Sequence, residues 1–448
     1  MRVMEEFKYY PPIHKIFEVF REERDAVFLE SSMHSEQGRF SVIGLYPYLK
    51  LVKKEQFTVN GEICERPFEE YVKEYLKENQ EDNPTNLPLI AGAVGYFSYD
   101  YGQKRMGLAS RKKSRIEIPD SILCFYDVFI VEDSLEKKLY FIANGKLIDG
   151  KVRLEQLKKQ IESESGICDP VEDNSGAWFE ADFQKEEYME AVSEMSRYIA
   201  EGDIYMGSLA QQIRLKSTKE PYLLFQSLRR INPSPFGGYF NYGDFQIISS
   251  SPERFVGIRD GRVVASPVKG TRKRGKTLEE DMALRNELRS SEKEKSELLM
   301  IAKLVCDELN QVCIPGSVEI TELFEVEEYA AVFHLVSQIT GLLRENLTAM
   351  DLLEAAFPGG AVTGAPKQRA MEIIDKLEHS KRNLYTGSLG YLSLNGDCDF
   401  NIVIQTAVFK DQTYYLGTGA GVAEESEPEF EYEEAFRKAG VVMEALNE

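Results

Sequence analysis

Short apolar runs with a two-residue period occur on both sides of a long polar stretch, and no repeated strand–helix–strand unit joins them. The runs AVFLESS, RFSVIGLYPYLKLVKK, IAGAVGYFSYD and ILCFYDVFIVEDSLEKKLYFIA fall within residues 1–165, where an amphipathic segment at 151–165 follows them. ESESGICDPVEDNSGA, residues 162–177, is polar and carries Pro and Gly, which predicts a linker or a long surface loop. Beyond it the period changes. KEEYMEAVSEMSRYIA, 185–200, places Tyr188, Ala191, Val192, Met195 and Ile199 on one helical face. Strand patterns follow at 205–215 and 236–249, and Asp-Gly supplies a hairpin turn in RFVGIRDGRVVAS. One or more helices are expected over 277–312 and another over 366–378. The strands SLGYLS, DFNIVIQTAVF and TYYLGTG come next, before an acidic helix from about Glu429. Strands and helices mixed in this way predict an α+β fold rather than a doubly wound parallel sheet.

The chain has 448 residues, enough for two or three domains, and a formal net charge of -21. Such an acidic protein is repelled by nucleic acid and anionic membranes, so the local run RKRGK does not point to either partner. Six cysteines without a CxxC pair predict reduced thiols and no structural zinc. The charged N-terminus predicts no signal peptide, and no apolar run reaches the roughly 20 residues needed to span a bilayer. A soluble, cytoplasmic protein is expected.

Few residues offer chemistry. Lys269, between Val268 and Gly270 in SPVKGTRKRG, reads as a surface charge, an anion hook or, if desolvated, a nucleophilic amine. Glu294 and Glu297 lie three apart on one predicted helix, and Glu431 and Glu434 lie three apart on another. Solvated helix surface explains such pairs, as does a hard-oxygen site for Mg2+ if the two pairs meet. FPGGAVTGAPKQRAMEII places a Thr-Gly turn before a helix, where backbone amides and a Thr363 hydroxyl donor suit an anion, although a plain tight loop and cap fit as well. GTGAGVAEES reads as a second glycine-rich turn after a strand. His334 has apolar neighbours and no visible nucleophile partner, which fits a core histidine.

In order along the chain, SPERF, PVKGTR, HLVSQITG, FPGGAVTGAPKQRAMEIID, YTGSLGYLS and GAGVAEESEPEFEYEE resemble the motifs of the chorismate-utilising enzymes. That family includes the large subunits of anthranilate synthase and aminodeoxychorismate synthase, isochorismate synthase and salicylate synthase. The likeness runs through nearly the whole chain. It implies a chorismate-binding fold with β-sheets packed face to face and helices outside. Residues 1–165 then form an anthranilate-synthase-I-like region and 178–448 the catalytic region, packed as one unit.

Within the family, a lysine before Gly-Thr is most similar to the aminodeoxychorismate synthases. The resemblance therefore implies that Lys269 attacks C2 of chorismate, that the C4 hydroxyl leaves, and that ammonia then displaces the lysine by attack at C4. The expected product is 4-amino-4-deoxychorismate, on the route to folate and 4-aminobenzoate. Glu253 resembles the general acid, and His334 the histidine beside the reacting ring. Glu294, Glu297, Glu431 and Glu434 resemble the Mg2+ carboxylates, and Thr271, Thr363, Tyr385, Gln405, Gly419, Gly421 and Lys438 the substrate pocket. No nucleophile elbow of a glutaminase is present, so a separate glutamine amidotransferase subunit is the expected ammonia source. An anthranilate synthase-like enzyme and a diverged chorismate-binding subunit are the alternatives.

Departures from the pattern are also visible. Met206 stands where the hydroxylating members carry a water-activating lysine, and a thioether has no comparable basicity. Ser208, Leu298 and Cys306-Asp307 replace the usual Asn, His and Arg-Asn. Gln405 replaces an arginine that pairs with a substrate carboxylate, and a neutral amide does not reproduce that bond.

Overall fold

The structure is a computed structural model that describes residues 1–33, 37–163, 178–329 and 332–448; residues 164–177 of the predicted linker lie outside this set. All strand pairings among the described residues are antiparallel. One hydrogen-bonded ribbon runs from Met206–Lys216 through Thr413–Val422, Thr406–Lys410, Gln246–Ser251 and Phe236–Asn241 to Ala26–Glu30. It continues through Phe40–Lys53, Ser121–Asp133, Gly92–Phe97, Ser388–Ser393 and Cys398–Asn401. Arg254–Arg259, Arg262–Ala265, Val332–Leu342 and Val268–Lys273 complete it. Strands that precede the polar segment are thus flanked on both sides by strands that follow it. This is the mixed helix and antiparallel sheet expected of an α+β chain.

The ribbon folds onto itself. One apolar cluster is built from strand and loop residues alone, with Val27, Tyr96, Tyr126 and Phe129 facing Phe240, Ile247 and Val408. Its large rings are fully buried, each worth about 1.5–3 kcal/mol relative to exposure. The Tyr126 hydroxyl donates to the Asp25 carbonyl at 2.7 Å and that of Tyr96 to Pro119 at 2.8 Å, so neither buried hydroxyl is orphaned. A second cluster joins sheet to helices, with Phe17, Leu154, Phe225 and Val442 packed on Ile130 and Ile213.

Local pattern accounts for the elements that position the site. Helix Lys185–Ala200 buries Tyr188, Ala191, Val192 and Met195 and leaves Ile199 half-buried, with a capping box between Gln184 and Glu187. Strands Arg254–Arg259 and Arg262–Ala265 are joined at Asp260 and Gly261, both at positive φ (50° and 74°), as a tight hairpin requires. The stretch 277–312 is two helices, Leu278–Ser290 and Glu292–Asn310. Thr277 caps the first, and Ser291, in extended conformation, ends it and caps the second.

Two expectations need correction. DFNIVIQTAVF is not one strand: Cys398–Asn401 and Thr406–Lys410 are separated by a break ending at Gln405, whose φ is 49°. In the break Ile402 donates to Glu253 and the Gln405 carbonyl accepts from Ser250, so the backbone leaves its ladder to close a loop. GTGAGV is not a turn but the end of strand Thr413–Val422, paired with Met206–Lys216. Its glycines at 417, 419 and 421 alternate along the strand and share one face.

Candidate active site

The glycine face of Thr413–Val422 and the edge strand Val268–Lys273 meet across the folded ribbon. A Cβ at Gly421 would stand 3.0 Å from Lys269 Nζ, so the missing side chain is the space the amine occupies. Further along that face a Cβ at Gly417 would meet Tyr385 Cγ at 2.2 Å, which places the Tyr385 ring over the strand. Gly419 leaves no room for a Cβ beside the Leu209 carbonyl, and its own carbonyl accepts from Lys438 Nζ at 3.4 Å.

The opposite wall is built on a bulge. Val268–Lys273 pairs with Val332–Leu342, and the register shifts between Lys269 and Thr271. Gly270 sits in the bulge at φ 70°, where a Cβ would also collide with the Glu294 carboxylate at 2.9 Å. On one side of Lys269, the Val268 N–H donates to Glu253 Oε1 at 3.3 Å. On the other, Thr271 Oγ1 shares a 3.1 Å hydrogen bond with His334 Nδ1.

Electrostatics separates the titratable groups. Glu253 is 7% exposed, and burial pushes its carboxyl up to about 7, against the Val268 hydrogen bond and the charges of Lys269 and Lys438. A carboxyl so placed still carries a proton near neutrality. Burial lowers His334 to about 4, opposed by a hydrogen bond to the backbone of Gly270 and aided by the Lys438 charge. Its imidazole is neutral at pH 7.

The four glutamates occupy one neighbourhood without converging. Burial and then Glu297 raise Glu294, while burial raises Glu431 against its bond from Ser426, with Glu434 adding to the shift. For Glu434 burial acts upward, but Lys438 at 2.7 Å outweighs it and holds the carboxyl below its ordinary value. Ser426 donates to Glu431 at 2.8 Å, and Arg272 stands 3.6 Å from Glu294. Among the described residues no three acidic, histidine or cysteine side chains are gathered to hold an ion. The expected Mg2+ cage is therefore not closed, because separate local partners hold Glu294, Glu431 and Glu434. The donor chemistry does suit a hard divalent cation, since, besides burial, Glu297 and Glu434 raise Glu294, and Glu434 raises Glu431, which puts neighbouring carboxylate charge in one place.

Other expected positions lie around this centre. The Thr363 carbonyl accepts from Ser208, which is paired with Gly421, so its loop borders the pocket. Its hydroxyl, however, donates to the Gly359 carbonyl at 2.9 Å; that proton is spent within the loop, and the expected anion donor is absent. Gln405 Oε1 accepts from Asn232 at 2.7 Å. Since Ala407 pairs with Leu416, Gln405 leaves the ladder level with Thr418, one residue from Gly419. Met206 is buried opposite Ala365 in an apolar cluster, and Leu298 is buried with Leu288, Phe333 and Leu335. Cys306 is half-buried and Asp307 exposed.

Arg382, which sequence reasoning missed, binds these walls together. It is buried against Glu378 at 2.6 Å and donates to the carbonyls of Val362 at 2.7 Å and Ser208 at 2.8 Å. Glu378 accepts from the Ala210 N–H at 2.8 Å. An Arg four residues after a Glu, in a stretch without apolar periodicity, carries no sign that it is buried.

A glycine-faced strand meets a lysine-bearing edge strand near a buried carboxyl raised to about 7 and a neutral imidazole, groups whose chemistry suits nucleophilic attack and proton transfer. The profile of the chorismate binding enzyme family matches residues 25–444, and this protein belongs to that family. It is similar to anthranilate synthase component 1 of Acetivibrio thermocellus, at 34% identity over 97% of this chain and 92% of the relative. It is equally similar to aminodeoxychorismate synthase component 1 of Bacillus subtilis, at 35% identity over 94% of this chain and 91% of the relative. The crystal structure of anthranilate synthase component I from Streptococcus pneumoniae TIGR4 superposes with a TM-score of 0.81 and 31% identity, covering 92% of this chain and 93% of that one. Among the described residues no helix is long and apolar enough to cross a membrane.

Proposed function

We propose that this chorismate-utilising enzyme makes 4-amino-4-deoxychorismate from chorismate and ammonia through a covalent adduct on Lys269. The observation that carries the reading is a primary amine held in the gap left by Gly421, close enough for its charge to act on the buried Glu253 carboxyl. The Lys269 amine attacks C2 as the C4–O bond breaks, and both double bonds of the ring's conjugated diene shift, from C1=C2 and C5=C6 to C1=C6 and C4=C5; the second displacement shifts them back. Protonated Glu253 gives its proton to the departing oxygen, which leaves as water. Ammonia then attacks C4, the C2–N bond breaks, and the ionised Glu253 takes back a proton. Two allylic displacements replace one difficult substitution. His334, neutral, hydrogen-bonds beside the ring without adding charge.

Glu294, Glu297, Glu431 and Glu434 are the residues that would hold Mg2+. When bound, the ion neutralises a substrate carboxylate. Glu297→Gln is expected to remove most of the activity. A glutamine amidotransferase subunit is the proposed ammonia source, so the chain alone uses ammonium salts and not glutamine.

An anthranilate synthase-like activity is the second reading, favoured by the names of relatives, which divide between the two reactions at 34% and 35% identity. The decisive experiment supplies chorismate, Mg2+ and ammonium to the purified chain and identifies products by mass. Aminodeoxychorismate keeps the enolpyruvyl group that anthranilate has lost. Anthranilate as the main product overturns the first reading.

A further inference from the structure

His334 stands on Val332–Leu342 directly opposite Glu327 of Glu319–Glu328. Between these strands the Tyr329 N–H donates to the Val332 carbonyl at 2.8 Å, and the Tyr329 ring lies against the imidazole. The two ring centroids are 5.0 Å apart at an interplanar angle of 79°, an edge-to-face contact. Tyr329 is buried, and its hydroxyl donates to Glu327 Oε2 at 2.8 Å. The second oxygen of Glu327 accepts from Gln37 Nε2 at 2.5 Å. Gln37 belongs to the N-terminal region and, with Phe236, Arg254 and Asp399, lines a cavity of about 530 Å3.

A buried hydroxyl needs an acceptor, and here the acceptor is a carboxylate that is itself held. That bond anchors the tip of the Tyr329 ring, and the ring blocks one direction in which the imidazole can turn. The Thr271 hydrogen bond to Nδ1 fixes the other side. We infer that Tyr329 is a positioning residue for His334, its ring held through the Glu327 carboxylate by Gln37 of the N-terminal region. This rests on the proposed placement of His334 beside the substrate ring. It gives the N-terminal region a part in the chemistry, since a remote group that misplaces a reacting group by about 1 Å can cost on the order of a hundredfold in rate.

The test uses the full chain with chorismate, Mg2+ and ammonium, together with the imidazole NMR resonances. The chain has four histidines, so His334 is assigned by the signal lost in His334→Gln. Tyr329→Phe keeps the ring and removes only the hydroxyl. It is expected to lower kcat about tenfold with KM within about twofold, and to shift the His334 resonances as the ring loses its anchored position. Glu327→Leu is expected to reproduce that loss, Glu327→Gln to restore most of it by keeping an acceptor, and Glu327→Leu in Tyr329→Phe to add nothing. Fully additive losses, or a Tyr329→Phe variant with unchanged kcat and unchanged His334 resonances, overturn the inference. If the wild-type chain does not turn over chorismate, the functional reading fails by itself. The His334 resonances then decide positioning alone: movement in Tyr329→Phe supports it, and unchanged resonances overturn it.

Discussion

At one end of the ribbon stands an edge strand, Val268–Lys273, paired on one side among the described residues and interrupted by a bulge at Gly270. Toward the other stands Thr413–Val422, an interior strand paired on both sides and faced with glycines. The edge strand carries Lys269 and Thr271, which the bulge aims in different directions. The central strand contributes no side chain to the pocket at 417, 419 and 421; it contributes room. The Lys269 amine on a singly paired, bulged edge is thus set against a surface that the ladder holds on both sides. Chemistry and clearance come from different strands, so substitutions on the two should fail in different ways.

The largest expected effect is on the edge strand. Lys269→Ala should lower aminodeoxychorismate formation by about 10^4-fold, since a covalent nucleophile is removed while the pocket retains some catalysis. Wild-type protein trapped with substrate should gain adduct mass on the peptide carrying residue 269. A variant that keeps its rate would make Lys269 an electrostatic pocket residue.

Glu253→Gln comes next, at about 10^2-fold or more in kcat. In wild type, with free NH3 held constant, kcat/KM should fall about tenfold per pH unit above about 7, as the buried carboxyl loses its proton. Stability moves oppositely in the variant. The folded-state value lies above the ordinary 4.5, so the cost of burying the charge is absent at pH 4 and complete above pH 7. Glu253→Gln should therefore be more stable than wild type at pH 8, by up to about 3 kcal/mol, with the difference gone at pH 4. Equal stability at both pH values would mean that the carboxyl is not raised.

On the glycine face the same substitution should split activity from stability. At Gly421 a methyl group meets only the end of a flexible side chain, at 3.0 Å, so Gly421→Ala should fold normally and lose about tenfold in kcat as Nζ is displaced. At Gly417 it meets the Tyr385 ring at 2.2 Å, and Gly417→Ala should cost about 1–3 kcal/mol of stability. Thermal melts and steady-state rates on the pair sharpen the comparison; identical behaviour breaks it.

The smallest effect is at Gln405, on the rim of the central strand. Gln405→Arg gives up the 2.7 Å bond from Asn232, which still donates to Ser250 Oγ at 3.0 Å. A charge-assisted bond exceeds a neutral one by roughly 1–2 kcal/mol, so KM for chorismate should fall by up to about tenfold with kcat little changed. A KM that rises would show that the pocket has been rebuilt around glutamine.

Much of this architecture was legible where neighbours in sequence decide it. The face of Lys185–Ala200, the Asp-Gly turn and the acidic last helix follow from spacing and turn chemistry. NIVIQT misled because its apolar run continues a strand pattern, whereas bonds to Glu253 and Ser250 pull the backbone out of the ladder. The glycines at 417, 419 and 421 suggested a turn through their number, although their two-residue spacing already signalled one open strand face. For the site, the resemblance supplied residue names and roles, but not that the Thr363 proton is used locally or that Lys438 engages Glu434.

The sequence by itself determined most of the elements and the family, and it named the candidate reactive groups, because periodicity, caps and motifs depend on residues a few positions apart. Only the tertiary structure decided that Lys269 faces Gly421, that Gln37 reaches Glu327, and that Arg382 lies beneath Ser208 and Val362. Those contacts join residues distant along the chain. Each depends on the order in which the strands pair and on where the ribbon folds over, and no local pattern carries that information.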